Sequence, residues 1–260
     1  IENDYIFGEK LGFGRSGVCW KVLHKTSGGA FAVKSIDTSK VKKTKRLLKE
    51  LTLLSSLQHP NIMILKEAYY HGKWLHMVSP LYSGGELFDK IHHKFKHFGS
   101  FPEDEVAGII YQLLDAVAYL HEHGIMHRDL KPENLMFSDS SPQARVKLID
   151  FGMATTFDPK DRSSFLESLC GTAYYIAPEV ITKRYRNEAD VWSIGVITYA
   201  MVYGHAPFDA ETDQAIFHLT CRAPLRFPRR RRDGAPRPSP EAEAFIASLL
   251  RKDPRRRPAA

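Results

Sequence analysis

Short apolar runs broken by turn residues fill the first third of the chain, and longer stripes at three- and four-residue spacing fill the rest. Tyr5 to Lys10, Val18 to His24 and Ala30 to Ile36 read as β-strands, with Gly28-Gly29 as the turn between the last two. A three-stranded antiparallel meander is the expected product. Leu47, Leu51, Leu54 and Leu57 then recur at helical spacing and carry Glu50 with them, until His59-Pro60-Asn61 closes the segment. Ile62 to Tyr70 and Trp74 to Val78 predict two further strands that complete a small sheet. Beyond Gly84-Gly85 the period turns helical: Val106, Ile109, Ile110, Leu113, Leu114, Val117 and Leu120 form the wide stripe of a long core helix. Further helices are expected over Asp190 to Tyr203, Asp213 to Cys221 and Pro240 to Arg251. The Pro/Arg-rich stretch Pro224 to Pro240 reads as a long surface loop. There is no internal repeat. The fold class is α+β, with a small β-rich part followed by a larger helical one.

Composition narrows the setting. At 260 residues, 43% hydrophobic and 26% charged, the chain can bury a substantial core and suits a soluble globular protein. Ile194 to Val202, its longest mainly apolar stretch, is too short to span a bilayer, and no charged-then-apolar leader opens the chain, so a cytoplasmic protein without a membrane span is expected. Cys19, Cys170 and Cys221 are odd in number and widely spaced, which argues against a disulfide framework and against a zinc site. The net charge of +7 owes much to Arg229 to Arg232 and Arg255 to Arg257. Without interleaved aromatic residues these runs read as solvated basic surface rather than a nucleic-acid site. His92, His93 and His97 lack acidic or cysteine companions and read as surface histidines.

The chemistry-bearing residues follow a fixed order. Gly12, Gly14 and Gly17 lie between two predicted strands, where a Rossmann loop would lie between a strand and a helix, and glycine there lets backbone N–H groups approach anionic oxygens. Lys34 comes 17 residues after Gly17 in an Ala-Val-Lys context and supplies a cation for phosphates, with Glu50 as its ion-pair partner. The run His127-Arg128-Asp129-Leu130-Lys131-Pro132-Glu133-Asn134 is followed, 16 residues after Asn134, by Asp150-Phe151-Gly152, and then by Ala177-Pro178-Glu179. Phosphoryl transfer needs alignment and charge neutralisation more than covalent help. Asp129 suits the attacking hydroxyl, Lys131 the charge on the moving phosphoryl group, and Asn134 and Asp150 offer hard oxygen ligands to Mg²⁺.

On these motifs the chain resembles a eukaryotic Ser/Thr protein kinase catalytic domain over nearly its whole length. Within that superfamily it is similar to the calcium/calmodulin-dependent group, and most to plant- and protist-type calcium-dependent protein kinases. The finer likeness rests on Gly84-Gly85-Glu86-Leu87-Phe88-Asp89, on Gly171 to Val180, and on the insertion Ser138 to Arg145 before Val146-Lys147-Leu148-Ile149-Asp150. The resemblance implies a bilobal fold: an N-lobe over residues 1–82 with glycine loop and hinge, and a C-lobe over 83–260 with catalytic loop and activation segment, cut short at its C-terminal end. It implies ATP and Mg²⁺ as cofactors, protein substrates with basic residues near the phosphoacceptor, and a monomer. A calcium-sensing module would lie outside this chain, because no D-x-[DN]-x-[DN]-G loop occurs here.

The same resemblance assigns further residues. Asp129, Lys131, Lys34, Glu50 and Thr172 are expected to be catalytic, Thr172 by contacting Asp129 and Lys131. Leu11, Gly12, Gly14, Gly17, Cys19, Ala32, Lys34, Ser79, Pro80, Tyr82, Glu86 and Met136 are expected around the nucleotide, and Asn134 and Asp150 on the metal. Leu54, Leu65, His127 and Phe151 match a stacked apolar spine, Asp190 an anchor of the catalytic loop, and Glu179 with Arg257 a buried ion pair. Glu86 and Glu133 match positions that bind a substrate arginine upstream of the phosphoacceptor.

Several positions depart from the family pattern. Ser79 stands at the gatekeeper position, where a small side chain is expected to open a pocket behind the adenine. Pro80 replaces the usual acidic residue yet keeps its carbonyl, and Tyr82 supplies the adenine-facing N–H. Ser16 stands at the usual aromatic tip of the loop, and Cys19 replaces a valine as another small hydrophobe. Ser168, four residues before Thr172, aligns with an activation-loop phosphosite beside Arg128. Two rival readings are weaker: a pseudokinase conflicts with the retention of Lys34, Glu50, Asp129, Asn134 and Asp150, and a nucleic-acid-binding domain explains only the arginine runs.

Overall fold

The computed structural model describes residues 1–14, 17–40, 44–99, 101–161, 163–228 and 237–260. The readings of Ser16 and of Arg229 to Arg232 lie outside the described residues. Nine strands run in chain order: β1 Tyr5–Gly14, β2 Gly17–His24, β3 Ala30–Asp37, β4 Glu67–His71, β5 Trp74–Pro80, β6 Ile125–Met126, β7 Leu135–Phe137, β8 Val146–Leu148 and β9 Thr155–Thr156, counted among the described residues. The helices are α1 Thr44–Ser56, α2 Leu87–Phe98, α3 Glu103–Glu122, α4 Pro178–Ile181, α5 Glu188–Tyr203, α6 Asp213–Arg222 and α7 Pro240–Leu249. Two compact units result, residues 1–84 with 136–152 and residues 85–135 with 153–260.

In the first unit, β1, β2 and β3 form the expected antiparallel meander, and the five-stranded sheet has the order β1-β2-β3-β5-β4. Because strand side chains alternate, Tyr5, Val22, Val33 and Val78 share one face and form a dry cluster, flanked by Phe7, Trp20, Phe31 and Tyr69. Lys34, Ile36, Leu75 and Met77 belong to the other face. Burying one such aliphatic side chain is worth about 1.5–3 kcal/mol.

The expected strand Ile62 to Tyr70 is shorter than its apolar pattern. Ile62 makes only an isolated parallel bridge to Leu148, since Met63 N–H donates to the Leu148 carbonyl and Leu148 N–H to the Asn61 carbonyl, each at 2.9 Å. The backbone of this stretch is thus engaged by β8, and regular pairing with β5 begins at Glu67. The pairs β6 with β9 and β7 with β8 are too short to leave a periodic signal in the sequence.

In the second unit, α3 carries the expected stripe, with Val106, Ile109, Ile110, Leu113, Val117 and Leu120 buried and Leu114 half-buried. Helix α5 is buried on almost every side from Ala189 to Tyr203, as a helix apolar all round must be at the centre of a helical unit. It contacts both α3 and α7. Helix α7 stops at Leu249 rather than reaching Arg251, and the Arg251 carbonyl accepts a hydrogen bond from Arg257 Nε at 2.8 Å.

Two of the loop glycines differ in what they do for the fold. Gly17 has φ +136°, and a Cβ there would lie 2.3 Å from the Ser35 carbonyl oxygen on β3. A Cβ on Gly12 meets nothing within 4 Å. Gly17→Ala is therefore expected to destabilise the protein by about 2 kcal/mol or more, and Gly12→Ala to change stability by less than about 0.5 kcal/mol. Urea unfolding midpoints of the two variants check this.

Candidate functional site

Strand register gathers most of the expected nucleotide-contacting residues of the first unit. Gly12 pairs with Cys19, Cys19 with Lys34, and Ala32 with Ser79, so all five lie on one face of the sheet, opposite the Val22–Val33–Val78 cluster. Leu11 is exposed, Met136 is half-buried on β7, and Pro80 ends β5 opposite Phe31. The Tyr82 hydroxyl accepts the Ile64 N–H at 3.3 Å, and the Lys147 ammonium sits 5.6 Å from the ring centroid. Burial pushes the Cys19 thiol up, with Lys34 opposing, which makes it a packing residue rather than a reactive thiolate.

Lys34 Nζ lies 3.4 Å from Glu50 Oε1 and 4.0 Å from Asp150 Oδ1. Burial alone would push this amine down, but Glu50 and then Asp150 outweigh it and hold it above the ordinary lysine value. The result is a fixed cation on the same sheet face as Gly12, with open space at that glycine, which suits an anionic ligand such as a polyphosphate. Asp150 Oδ1 also accepts the Gly152 N–H at 2.9 Å.

In the second unit the centre is Asp190, at the start of α5 and 1% exposed. Its Oδ2 lies 2.9 Å from His121 Nε2 and accepts the His127 N–H at 2.9 Å, while Oδ1 accepts the Arg128 N–H at 2.8 Å. Burial raises its pKa, but the hydrogen bond and charge of His121, with His127 and the Arg128 N–H, more than offset this and hold the carboxyl below its ordinary value. Arg128 is thereby held at φ +69°, a left-handed conformation that costs a non-glycine residue about 1–2 kcal/mol.

The adjoining residues form one polar set. Lys131 Nζ donates to Thr172 Oγ1 at 3.0 Å, and Thr172 Oγ1 donates to Asp129 Oδ1 at 3.1 Å. Lys131 Nζ is also 3.4 Å from Asp129 Oδ2. Asn134 Nδ2 donates to the Asp129 carbonyl at 2.8 Å, which spends its amide nitrogen inward and leaves Oδ1 as the ligand atom. No group of three or more His, Cys, Asp or Glu among the described residues makes a protein-only metal cage. Asn134 in the second unit and Asp150 in the first each offer a single hard oxygen, the donor type that suits a Mg²⁺ ion held largely by phosphate and water.

Around this set, Arg128 Nε donates to the Met153 carbonyl at 2.8 Å, and Nη1 donates to Ser168 Oγ at 3.0 Å. The Tyr185 hydroxyl donates to the Ser168 carbonyl at 2.8 Å. Glu86 and Glu133 form an acidic site: burial, then Asp89 and Glu133, push the Glu86 carboxyl up against the opposing Lys131, and Glu133 Oε2 is buried without a hydrogen-bond partner. Below, Arg257 clasps Glu179 through both guanidinium NH groups, and Nη1 also donates to the Glu188 carbonyl at 2.9 Å.

His121 and Tyr185 were not legible as site residues. His121 follows the α3 stripe as an ordinary terminal polar residue, and Tyr185 sits in no motif. Only the approach of segments 69 and 17 residues apart in sequence reveals their partners.

Residues 5–260 match the protein kinase domain family. Calcium-dependent protein kinase 14 of Arabidopsis thaliana is 38% identical over 99% of this chain and 47% of its own length. A probable myosin light chain kinase of Dictyostelium discoideum is 37% identical over 99% of this chain and 64% of its own, and calcium-dependent protein kinase 5 of Plasmodium berghei is 41% identical over 80% and 36%. The chain thus spans about half the length of the plant relatives it matches. No helix among the described residues is long and apolar enough to cross a membrane. By motif order, by the hydrogen bonding of its loops and by sequence similarity along its whole length, this chain belongs to the protein kinase domain family.

Proposed function

We propose that the chain is the catalytic domain of an ATP- and Mg²⁺-dependent kinase that phosphorylates serine and threonine hydroxyls of proteins. The hydrogen-bonded set of Asp129, Thr172 and Lys131 carries this reading, because it joins a proton-accepting carboxylate to a cation through a threonine hydroxyl. Asp129 accepts or orients the proton of the attacking hydroxyl, and Lys131 stabilises charge on the phosphoryl group in transit. Lys34, held by Glu50, takes the α- and β-phosphates, and the sheet face with Gly12, Cys19, Ala32 and Ser79 takes the nucleotide. Asn134 and Asp150 are the residues assigned to Mg²⁺, which would offset phosphate charge when bound. Residues 1–82 form the N-lobe with glycine loop and hinge, and residues 83–260 the C-lobe with catalytic loop and activation segment.

The acidic pair Glu86 and Glu133 supports recognition of an arginine upstream of the phosphoacceptor, since a guanidinium would satisfy the buried Glu133 oxygen and relieve the mutual repulsion. Relatives are named as calcium-dependent kinases, and any calcium control here is assigned to sequence outside residues 1–260. The domain is proposed to act as a cytoplasmic monomer. A phosphate on Ser168 would meet Arg128 Nη1, already on the hydroxyl, and order the segment before Thr172.

Phosphate transfer from labelled ATP to a serine peptide with an upstream arginine is expected to require Mg²⁺ and to fall by at least about 100-fold in Asp150→Ala. Persistent transfer in that variant would sink the assignment. Ser168→Ala is expected to lower kcat/KM about tenfold, and undiminished activity would count against phosphate control there. Ser79→Met is expected to weaken ATP-competitive inhibitors bearing a large aromatic group by about tenfold or more, which an inhibition series on both proteins measures.

A further inference from the structure

Lys252 follows α7 and precedes the short 3₁₀ turn Pro254–Arg256. Its ammonium donates to the Thr220 carbonyl and lies 3.8 Å from the Phe208 ring centroid and 5.1 Å from that of Trp192. Those two rings stack at 5.9 Å with an interplanar angle of 9°. Arg257 shares the Trp192 ring, its guanidinium carbon 5.0 Å from the centroid.

What sets this cation apart is the lack of a counter-ion. Arg257 is answered by Glu179, and the neighbouring Asp253 is held by Arg255 at 3.0 Å through both oxygens. Lys252 makes no ion pair with a carboxylate among the described residues. Aromatic faces and one carbonyl return only part of the hydration that the ammonium gives up. The titratable and charged groups that reach it are Cys221 of α6 and Arg257. Burial first, and then Arg257, lower the amine's pKa from the usual lysine value to about 8, with Cys221 opposing. The side chain is only half-buried, so a small reagent can reach it.

We propose that Lys252 is a site of Nε-acylation by activated acyl donors, acyl phosphates or acyl thioesters. The neutral amine attacks the acyl carbon, and an N–C bond forms as the C–O bond to phosphate or the C–S bond to thiol breaks. Phosphate or thiol leaves with the electron pair, and the surplus amine proton passes to solvent. The amide product keeps one N–H for the Thr220 carbonyl and removes the like charge beside Arg257.

The test treats the whole chain with acetyl phosphate or, separately, with acetyl-CoA, at pH values from about 7 to about 9.5. Peptide mass spectrometry reads acetylation at each lysine. Exposed Lys96 and Lys183 serve as references, and Lys34 as a lysine held protonated by two carboxylates. At about pH 7.5, Lys252 is expected to react about tenfold faster than either reference, with a rate that levels off near pH 8. The references should keep accelerating to the top of the range, and Lys34 should lag. Labelling by one donor alone identifies that donor class, and labelling by both supports the proposal in its broad form. A Lys252 rate no higher than the references with both donors, or one still climbing without levelling, overturns the proposal.

Discussion

One buried carboxylate organises the catalytic unit. Asp190 is removed from water, at a cost of several kcal/mol for an unpaired charge, and is kept ionised by three donors. Hydrogen bonds to a charged acceptor are worth about 1.5–3 kcal/mol each, enough together to offset that cost and the left-handed backbone of Arg128. The strain is local, and its consequence is positional. With the backbone at His127 and Arg128 fixed, the next residues deliver Asp129 and Lys131 to Thr172, and Arg128 sends its guanidinium to Met153 and Ser168.

A second fixed charge sits beneath this arrangement. Replacing a buried pair such as Glu179–Arg257 with apolar groups is often neutral in stability, so such a pair serves geometry more than free energy. Here the geometry is specific: the guanidinium ties the start of α4 to the Glu188 carbonyl at the start of α5 and to the Arg251 carbonyl after α7. One planar donor set thereby holds three points of the chain, two of them 78 and 69 residues before Arg257. Lys252, beside it on the same indole, meets aromatic faces and the Thr220 carbonyl but no carboxylate among the described residues, and this contrast gives the two neighbouring cations different chemistry.

In the β-rich unit the organising constraint is register. A slip of one residue would turn Cys19, Ala32, Lys34 and Ser79 toward the opposite face. The apolar cluster of Tyr5, Val22, Val33 and Val78 resists that slip, because the same shift would carry its members into water. Burial on one face therefore specifies chemistry on the other.

Much of this was legible in the residues. The meander and the α3 and α5 helices follow from local periodicity, since alternation and the 3.6-residue repeat are set by the backbone itself, while the Lys34–Glu50 pair and the Asp129–Lys131–Asn134 run were read from matching motifs. Motif order likewise pointed to the family. Tertiary structure alone decided that Ile62 bridges to Leu148 rather than extending β4, that Asp190 gathers His121 with two backbone N–H groups, and that Tyr185 reaches Ser168. It alone left Lys252 without a carboxylate partner among the described residues. Each of these depends on where segments far apart in sequence come to rest, and a buried charge finds or lacks its partner only once the chain has closed around it.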